Sequence, residues 1–205
     1  MSSAGTGATG FELDGDVVVA ARSLLDAVLR HGPVAVRICE VEAYDGPNDP
    51  ASHAYNGRTD RNFVMFGAAG HLYVYFTYGM HHACNVSVGP VGRPSGVLMR
   101  AGEVIAGHDL ARERRGSRIT DRDLARGPGR LAQALGITRA DNGADLLGGD
   151  EITLTPPDRP VTMIESGPRV GVSKEADRPW RFWIRDDPYV SAYRRATVRR
   201  AATRR

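Results

Sequence analysis

The stretch HLYVYFTYGMHHACNVSV, residues 71–88, reads as two short strands around a break. Leu72, Val74 and Phe76 alternate with Tyr73, Tyr75 and Thr77, the period of two that a half-buried strand requires. Gly79 interrupts the alternation, and residues 83–88 can return as the hairpin partner of residues 71–78. A hairpin makes neighbouring strands antiparallel, so the remaining segments are read as additions to an antiparallel sheet.

Upstream, residues 34–44 read as a strand with Cys39, Val41 and Ala43 on one face and Glu40, Glu42 and Tyr44 on the other. Before it, Asp14 and Asp16 stand where a helix cap is wanted, and apolar residues from Val17 to Leu29 recur at helical spacing until Gly32-Pro33. After it, Asp45-Gly46-Pro47-Asn48-Asp49-Pro50 is turn chemistry, followed by a polar loop that carries His53, Arg58 and Arg61. Downstream, residues 96–101 form a short strand containing Arg100, and residues 103–115 form a helix. Thr120 with Asp123 resembles a capping box. Gly127-Pro128 opens a helix that Gly136 closes. Residues 151–155, 169–172 and 181–185 read as further strands. The expected fold is α+β: a single mixed domain with a curved, mainly antiparallel sheet, surrounding helices and a protruding β-hairpin. Residues 12–193 form that domain, between a flexible tail at 1–11 and an Arg-rich tail at 194–205.

The chain has 205 residues, 41% of them hydrophobic, enough for one sizeable core. Its net charge is +3, and of 27 basic residues only Lys174 is a lysine. Arginine's planar fork suits phosphate, although arginine richness also follows from GC-rich coding. Cys39 and Cys84 form no CxxC and suggest no disulfide framework. No apolar run is long enough to span a membrane, and residues 1–10 lack the apolar core of a signal peptide. A reducing, cytoplasmic setting is expected.

Chemistry concentrates in three places. Glu40 and Glu42 are two apart on one strand and so share a face, where their charges would raise a pKa useful for acid–base work; a solvated strand face gives the same pattern. His53 could join them around a metal, but no HExxH or comparable ligand spacing is present, and no metal or cofactor is expected. Tyr73 and Tyr75 share a face, and Tyr78 sits beside Gly79 at the hairpin tip, where a large side chain is either tucked inward or thrust into a partner such as a base stack. Asn85 on the returning strand can discriminate by steric fit and hydrogen bonding. Arg100 can contact phosphate or pair with Glu40. Gly127-Pro128-Gly129-Arg130 offers helix N-terminal N–H groups and a guanidinium to a phosphate.

These segments occur together in a recognisable order: Glu40-Val41-Glu42-Ala43-Tyr44, the His53 loop through Arg61-Asn62, Tyr73-Val74-Tyr75 to Tyr78-Gly79-Met80 and Asn85, Val97-Leu98-Met99-Arg100, Gly127-Pro128, and Arg169-Val170-Gly171-Val172. The chain resembles the alkyladenine (methylpurine, 3-methyladenine) DNA glycosylases over residues 14–193. The resemblance implies a metal-free enzyme that flips damaged purines out of double-stranded DNA and acts as a monomer. Glu42 would be the general base, and Arg100 would hold the flipped nucleotide's backbone near the water. Tyr44, His53 and Tyr75 would wall the base pocket together with Tyr73. Asn85 would disfavour the exocyclic amine of normal guanine. Tyr78 would intercalate, and Met80, Arg58 and Arg61 would lie near the DNA, towards which the phosphate cradle read at Arg130 would also face.

A glycosylase that also cleaves the strand needs an amine nucleophile. Lys174 lies outside every segment assigned to the pocket, so a monofunctional enzyme that leaves an abasic site is expected. Other readings use the same residues: a non-catalytic lesion-binding protein, a metal hydrolase built on Glu40, Glu42 and His53, and a single-stranded RNA binder using Tyr73, Tyr75 and the Arg-rich tail.

Overall fold

The computed structural model describes residues 10–77 and 79–196. In chain order its elements are α1 (Val17–Ser23), β1 (Val28–His31), β2 (Val34–Tyr44), β3 (Leu72–Thr77), β4 (His81–Val88), β5 (Ser95–Ala106), α2 (His108–Arg115), α3 (Pro128–Leu135), β6 (Ile152–Thr155), β7 (Ile164–Gly167) and β8 (Arg181–Ile184). The strands form one curled antiparallel sheet in the order β3-β4-β5-β2-β1-β6, so the molecule is α+β. β8 pairs with the second half of β2, where β1 no longer reaches, and with β7. Among the described residues no helix is long and apolar enough to cross a membrane.

The three helices cover one face of the sheet. Val17, Ala20 and Ala21 of α1, Ala111 of α2, and Leu131, Ala132, Ala134 and Leu135 of α3 meet Val36, Ile38, Val41, Val74, Val86, Val97 and Met99 in one core. Fully burying a leucine or valine there stabilises by roughly 1.5–3 kcal/mol. Among the described residues the opposite face carries no α-helix; the 3-10 turn Phe63–Phe66 packs there against Tyr73.

Strict alternation along β2 fails at one point. The core takes Val34, Val36 and Ile38, then Val41 and Ala43. Register shifts against β5 flank Glu40, and this bulge changes the phase by one residue. Cys39, expected with Val41 and Ala43, instead stands beside Asp187, and burial raises its thiol pKa. Downstream of the bulge Glu40, Glu42 and Tyr44 share the face opposite the helices, as read from sequence.

The expected helix from Val17 to Leu29 is half as long. Asp16 caps it, its carboxylate accepting from the N–H groups of Val18 and Val19 at 2.7 and 3.2 Å. The chain then turns through Asp26, whose φ is 68°, and residues 28–31 become β1. Gly32, at φ 54°, is the turn of the β1–β2 hairpin rather than a helix stop. Leu29 reaches the same core from a strand that it would have reached from a helix, so apolar spacing alone could not separate the two.

The helix expected over 103–115 begins only at His108, because β5 runs on to Ala106. Glu103 and Val104 pair with Arg37 and Val36, and Gly107 makes the left-handed turn between strand and helix. A Cβ on Gly107 would lie 2.6 Å from the Pro33 carbonyl oxygen. Thr120 and Asp123 bond to each other at 3.3 Å but flank only a 3-10 turn; a capping box with both bonds made is formed by Thr138 with Asp141. Residues 169–172 are a turn, with the strand just before them at β7. Phe11, placed in the N-terminal tail, is buried in the core, and the C-terminal tail lies beyond residue 196 for most of its length.

Candidate active site

The face without α-helices carries a cleft of about 590 Å³. Its floor follows from sheet register. Tyr73 lies opposite Asn85, Asn85 opposite Leu98, Leu98 opposite Glu42, and Glu42 opposite Arg181. Directly opposed residues point to one face, so five strands deliver one transverse row. Tyr73, Asn85, Leu98 and Glu42 of this row all line the cleft.

Glu42 is fully buried. Its Oε1 accepts the Val170 N–H at 2.8 Å, and its Oε2 accepts the Tyr44 hydroxyl at 2.8 Å. The Arg100 Nη1 stands 3.4 Å from Oε1. These donors compensate the cost of burying a carboxylate. Burial, with the Glu42 charge next, pushes the Tyr44 phenol well above its ordinary pKa, so it remains a donor.

Arg100 bridges the two carboxylates that were read as a pair. Its Nε lies 3.1 Å from Glu40, which also accepts from the N–H and hydroxyl of Ser191 at 2.8 and 3.1 Å. Burial raises the Glu40 carboxyl, while Arg100, Ser191 and Arg181 pull it back. Glu40 does not line the cleft; it holds Arg100 from behind.

The aromatic wall comes from β3 and the loop after β2. His53 and Tyr75 meet edge to face with centroids 4.5 Å apart, and Tyr73 lies 5.8 Å from Tyr75. The His53 Nδ1 is 3.1 Å from the Tyr73 hydroxyl. His53 opens onto the cleft, but the rings packed round it and the Arg61 charge lower its pKa below 6.5. Burial raises the phenols of Tyr73 and Tyr75. The His53 loop is pinned by Asn62, whose amide donates to the carbonyls of His53 and Gly57 at 2.9 and 3.0 Å. Asn85 donates to the Tyr73 carbonyl at 3.1 Å, which fixes the orientation of its amide.

Glu42, Arg100, Tyr44, His53, Tyr73, Tyr75, Asn85 and Arg61 therefore converge on one cavity. Arg130 lines a neighbouring cavity instead. Arg58 and Met80 are exposed and line neither, Met80 being 69% accessible. Tyr78 lies outside the described residues. Among the described residues no group of three or more His, Cys, Asp or Glu is placed to hold a metal ion.

One expectation is corrected. Lys174, placed away from the pocket, lines its rim on the loop that follows Val170. Its ammonium stands 5.7 Å from the centroid of the Tyr55 ring.

The sequence also concealed a buried support. Arg169 is 1% exposed and donates to Asp49 Oδ1 at 2.9 Å and to the Ala43 carbonyl at 2.9 Å. Its guanidinium lies 4.6 Å from the Tyr44 ring centroid. Asp49 and Arg169 are 120 residues apart, so no local pattern joins them. This pair anchors the turn whose next residue, Val170, donates to Glu42.

A family model described as methylpurine-DNA glycosylase matches residues 11–188. The chain belongs to this family. Among the relatives it matches is one from Streptomyces avermitilis, 55% identical over 84% of this chain and 83% of its own. Another, from Nocardia farcinica, is 56% identical over 90% of this chain and 91% of its own. A third, from Mycobacterium leprae, is 50% identical over 88% of this chain and 86% of its own. All three are named as candidate 3-methyladenine DNA glycosylases.

Proposed function

We propose that this member of the family is a monofunctional DNA glycosylase of base excision repair. It flips an alkylated or deaminated purine from duplex DNA and hydrolyses the N-glycosidic bond. The observation that carries the reading is the buried Glu42 carboxylate at the floor of an aromatic-walled cleft, hydrogen-bonded on both oxygens and faced by Arg100.

Breaking a purine–sugar bond builds positive charge on the sugar. Glu42 stabilises that charge and takes a proton from the water that attacks C1′, and the base departs with the bonding electrons. An alkylated base is already cationic and leaves readily. Stacking it against Tyr75 and its neighbours contributes roughly 0.5–2 kcal/mol from the ring quadrupoles. The substrate class is 3-methyladenine, 7-methylguanine, hypoxanthine and ethenoadenine.

Tyr44, His53, Tyr73 and Tyr75 wall the base site, and Asn85 disfavours the exocyclic amine of guanine. Arg100 holds the nucleotide backbone. Tyr78 fills the gap in the stack, with Met80, Arg58, Arg61 and Arg130 towards the DNA. A monomer suffices for this chemistry.

The position of Lys174 makes the monofunctional reading depend on geometry rather than distance alone. Its ammonium is engaged by the Tyr55 ring at the rim, whereas Glu42 lies on the floor. The product is an unbroken strand with an abasic site.

Single-turnover base release from a duplex carrying one of the four lesions, with chelator present, tests the proposal. Release that leaves an alkali-labile site supports it. Tight lesion binding with no release from any of the four would favour a non-catalytic lesion-binding protein, and release lost in chelator would favour a metal hydrolase.

A further inference from the structure

A second cavity of about 360 Å³ abuts the cleft and shares Arg100 and Val170 with it. Three further arginines line it: Arg126, Arg130 and Arg194. Among the described residues the only carboxylate in the lining is Asp123. Arg130 donates to Asp123 at 3.0 Å, and Arg126 stands 3.8 Å from the same oxygen. Arg126 is oriented by its Nε, which donates to the Val190 carbonyl at 2.8 Å. One acid thus serves two guanidiniums, and the cavity keeps an excess of positive charge.

Arg100 is turned away from this space at Nε, which faces Glu40 at 3.1 Å, and contributes only its position in the shared wall. One other feature aims donors at the space. The eight-residue helix α3 begins beside the cavity at Gly127-Pro128, and no side chain caps it. Its first-turn N–H groups and the positive end of its dipole favour an anion.

We propose that this cavity is a phosphate subsite, and that it holds one phosphodiester phosphate directly flanking the flipped nucleotide. The inference rests on the proposed function, because it places the damaged nucleotide in the adjoining cleft. With the sugar beside Glu42 and Arg100, the next group along the strand is a phosphate, and the shared wall of Arg100 and Val170 is where the strand leaves the cleft. Arg126, Arg130 and Arg194 then grip the strand at the lesion itself rather than at a distance. Asp123 bridges two of these guanidiniums through one oxygen and weakens the grip by competing with the phosphate for them.

The test uses the full-length protein and lesion duplexes in which one flanking linkage at a time is an uncharged methylphosphonate. At one linkage the substitution weakens wild-type binding about tenfold. It costs the Arg194→Gln variant little more at that same linkage, because the partner charge is already gone. Arg194→Gln, at an exposed position, also lowers the slope of log K against log salt by about 1. Asp123→Asn tightens binding, a gain that misfolding does not produce. Losses that multiply independently at every linkage, an unchanged salt slope, or weaker binding by Asp123→Asn would overturn the subsite. Failure of the wild-type protein to release any base would instead overturn the proposed function, and is read separately in the same duplexes.

Discussion

Glu42 and Asn85 lie in one transverse row of the sheet, each directly opposite Leu98 on the strand between them. A carboxylate and an amide 43 positions apart in sequence are thereby set into the same cleft by register alone. The Asn85 amide is tethered to the Tyr73 carbonyl, so it presents a fixed edge to whatever base enters. Asn85→Ala removes that edge. Release of undamaged guanine, relative to 7-methylguanine, is expected to rise about tenfold to a hundredfold, the usual reach of one steric or polar discrimination. An unchanged ratio in a two-base competition would remove Asn85 from specificity.

The Asp49–Arg169 pair predicts a stability effect remote from the cleft surface. Both side chains are fully buried, so Asp49→Ala leaves an uncompensated guanidinium in the interior. The cost is expected to be about 3–5 kcal/mol. It should appear as a lower urea midpoint with an unchanged m-value. Because Arg169 also backs the Tyr44 ring, excision should fall in step.

His53 predicts how stability depends on pH. Its ring opens onto the cleft, yet the groups packed round it and the Arg61 charge lower its folded pKa below 6.5. Between 6.5 and that lowered value, the unfolded chain binds a proton that the folded chain does not. Stability therefore falls as pH drops through this window and is unaffected by His53 above it. The His53→Gln variant should show a shallower loss on acidification, and the histidine's NMR titration should have its midpoint below 6.5.

Lys174 gives a yes-or-no outcome. Borohydride added during turnover should trap no covalent protein–DNA adduct, although this lysine lines the cleft rim. A trapped adduct that disappears in Lys174→Arg would show that the enzyme also forms a Schiff base with the abasic sugar.

What could be read from sequence followed the range of the forces involved. The β3–β4 hairpin was legible because Leu72 to Thr77 alternate without interruption and Gly79 marks the turn. β2 was legible in extent but not in phase, since the bulge at Glu40 moves Cys39 off the core face and leaves no mark in the residue pattern. Residues 24–29 obeyed a helical period although the chain turns at 24–26 and pairs as a strand from Val28, because Leu24, Leu25 and Leu29 reach the same core by either route. In the site, strand alternation placed Glu42, Tyr44, Tyr73, Tyr75 and Asn85. The Asp49–Arg169 contact, the Val170 N–H on Glu42 and the approach of Lys174 all arise from one turn folding back across the sheet, which only tertiary structure sets. The order of motifs marked Arg169-Val170-Gly171-Val172 as significant, but their conformation was misread as a strand.

The central claim is that Glu42 activates the attacking water, and single-turnover base release by Glu42→Gln tests it most directly. The amide keeps the shape and can still meet its neighbours, but it cannot accept the proton. Release of 3-methyladenine or hypoxanthine is expected to fall by about 100- to 10,000-fold while the lesion duplex remains bound. Release at close to the wild-type rate would contradict the account and require the base to lie elsewhere in the cleft.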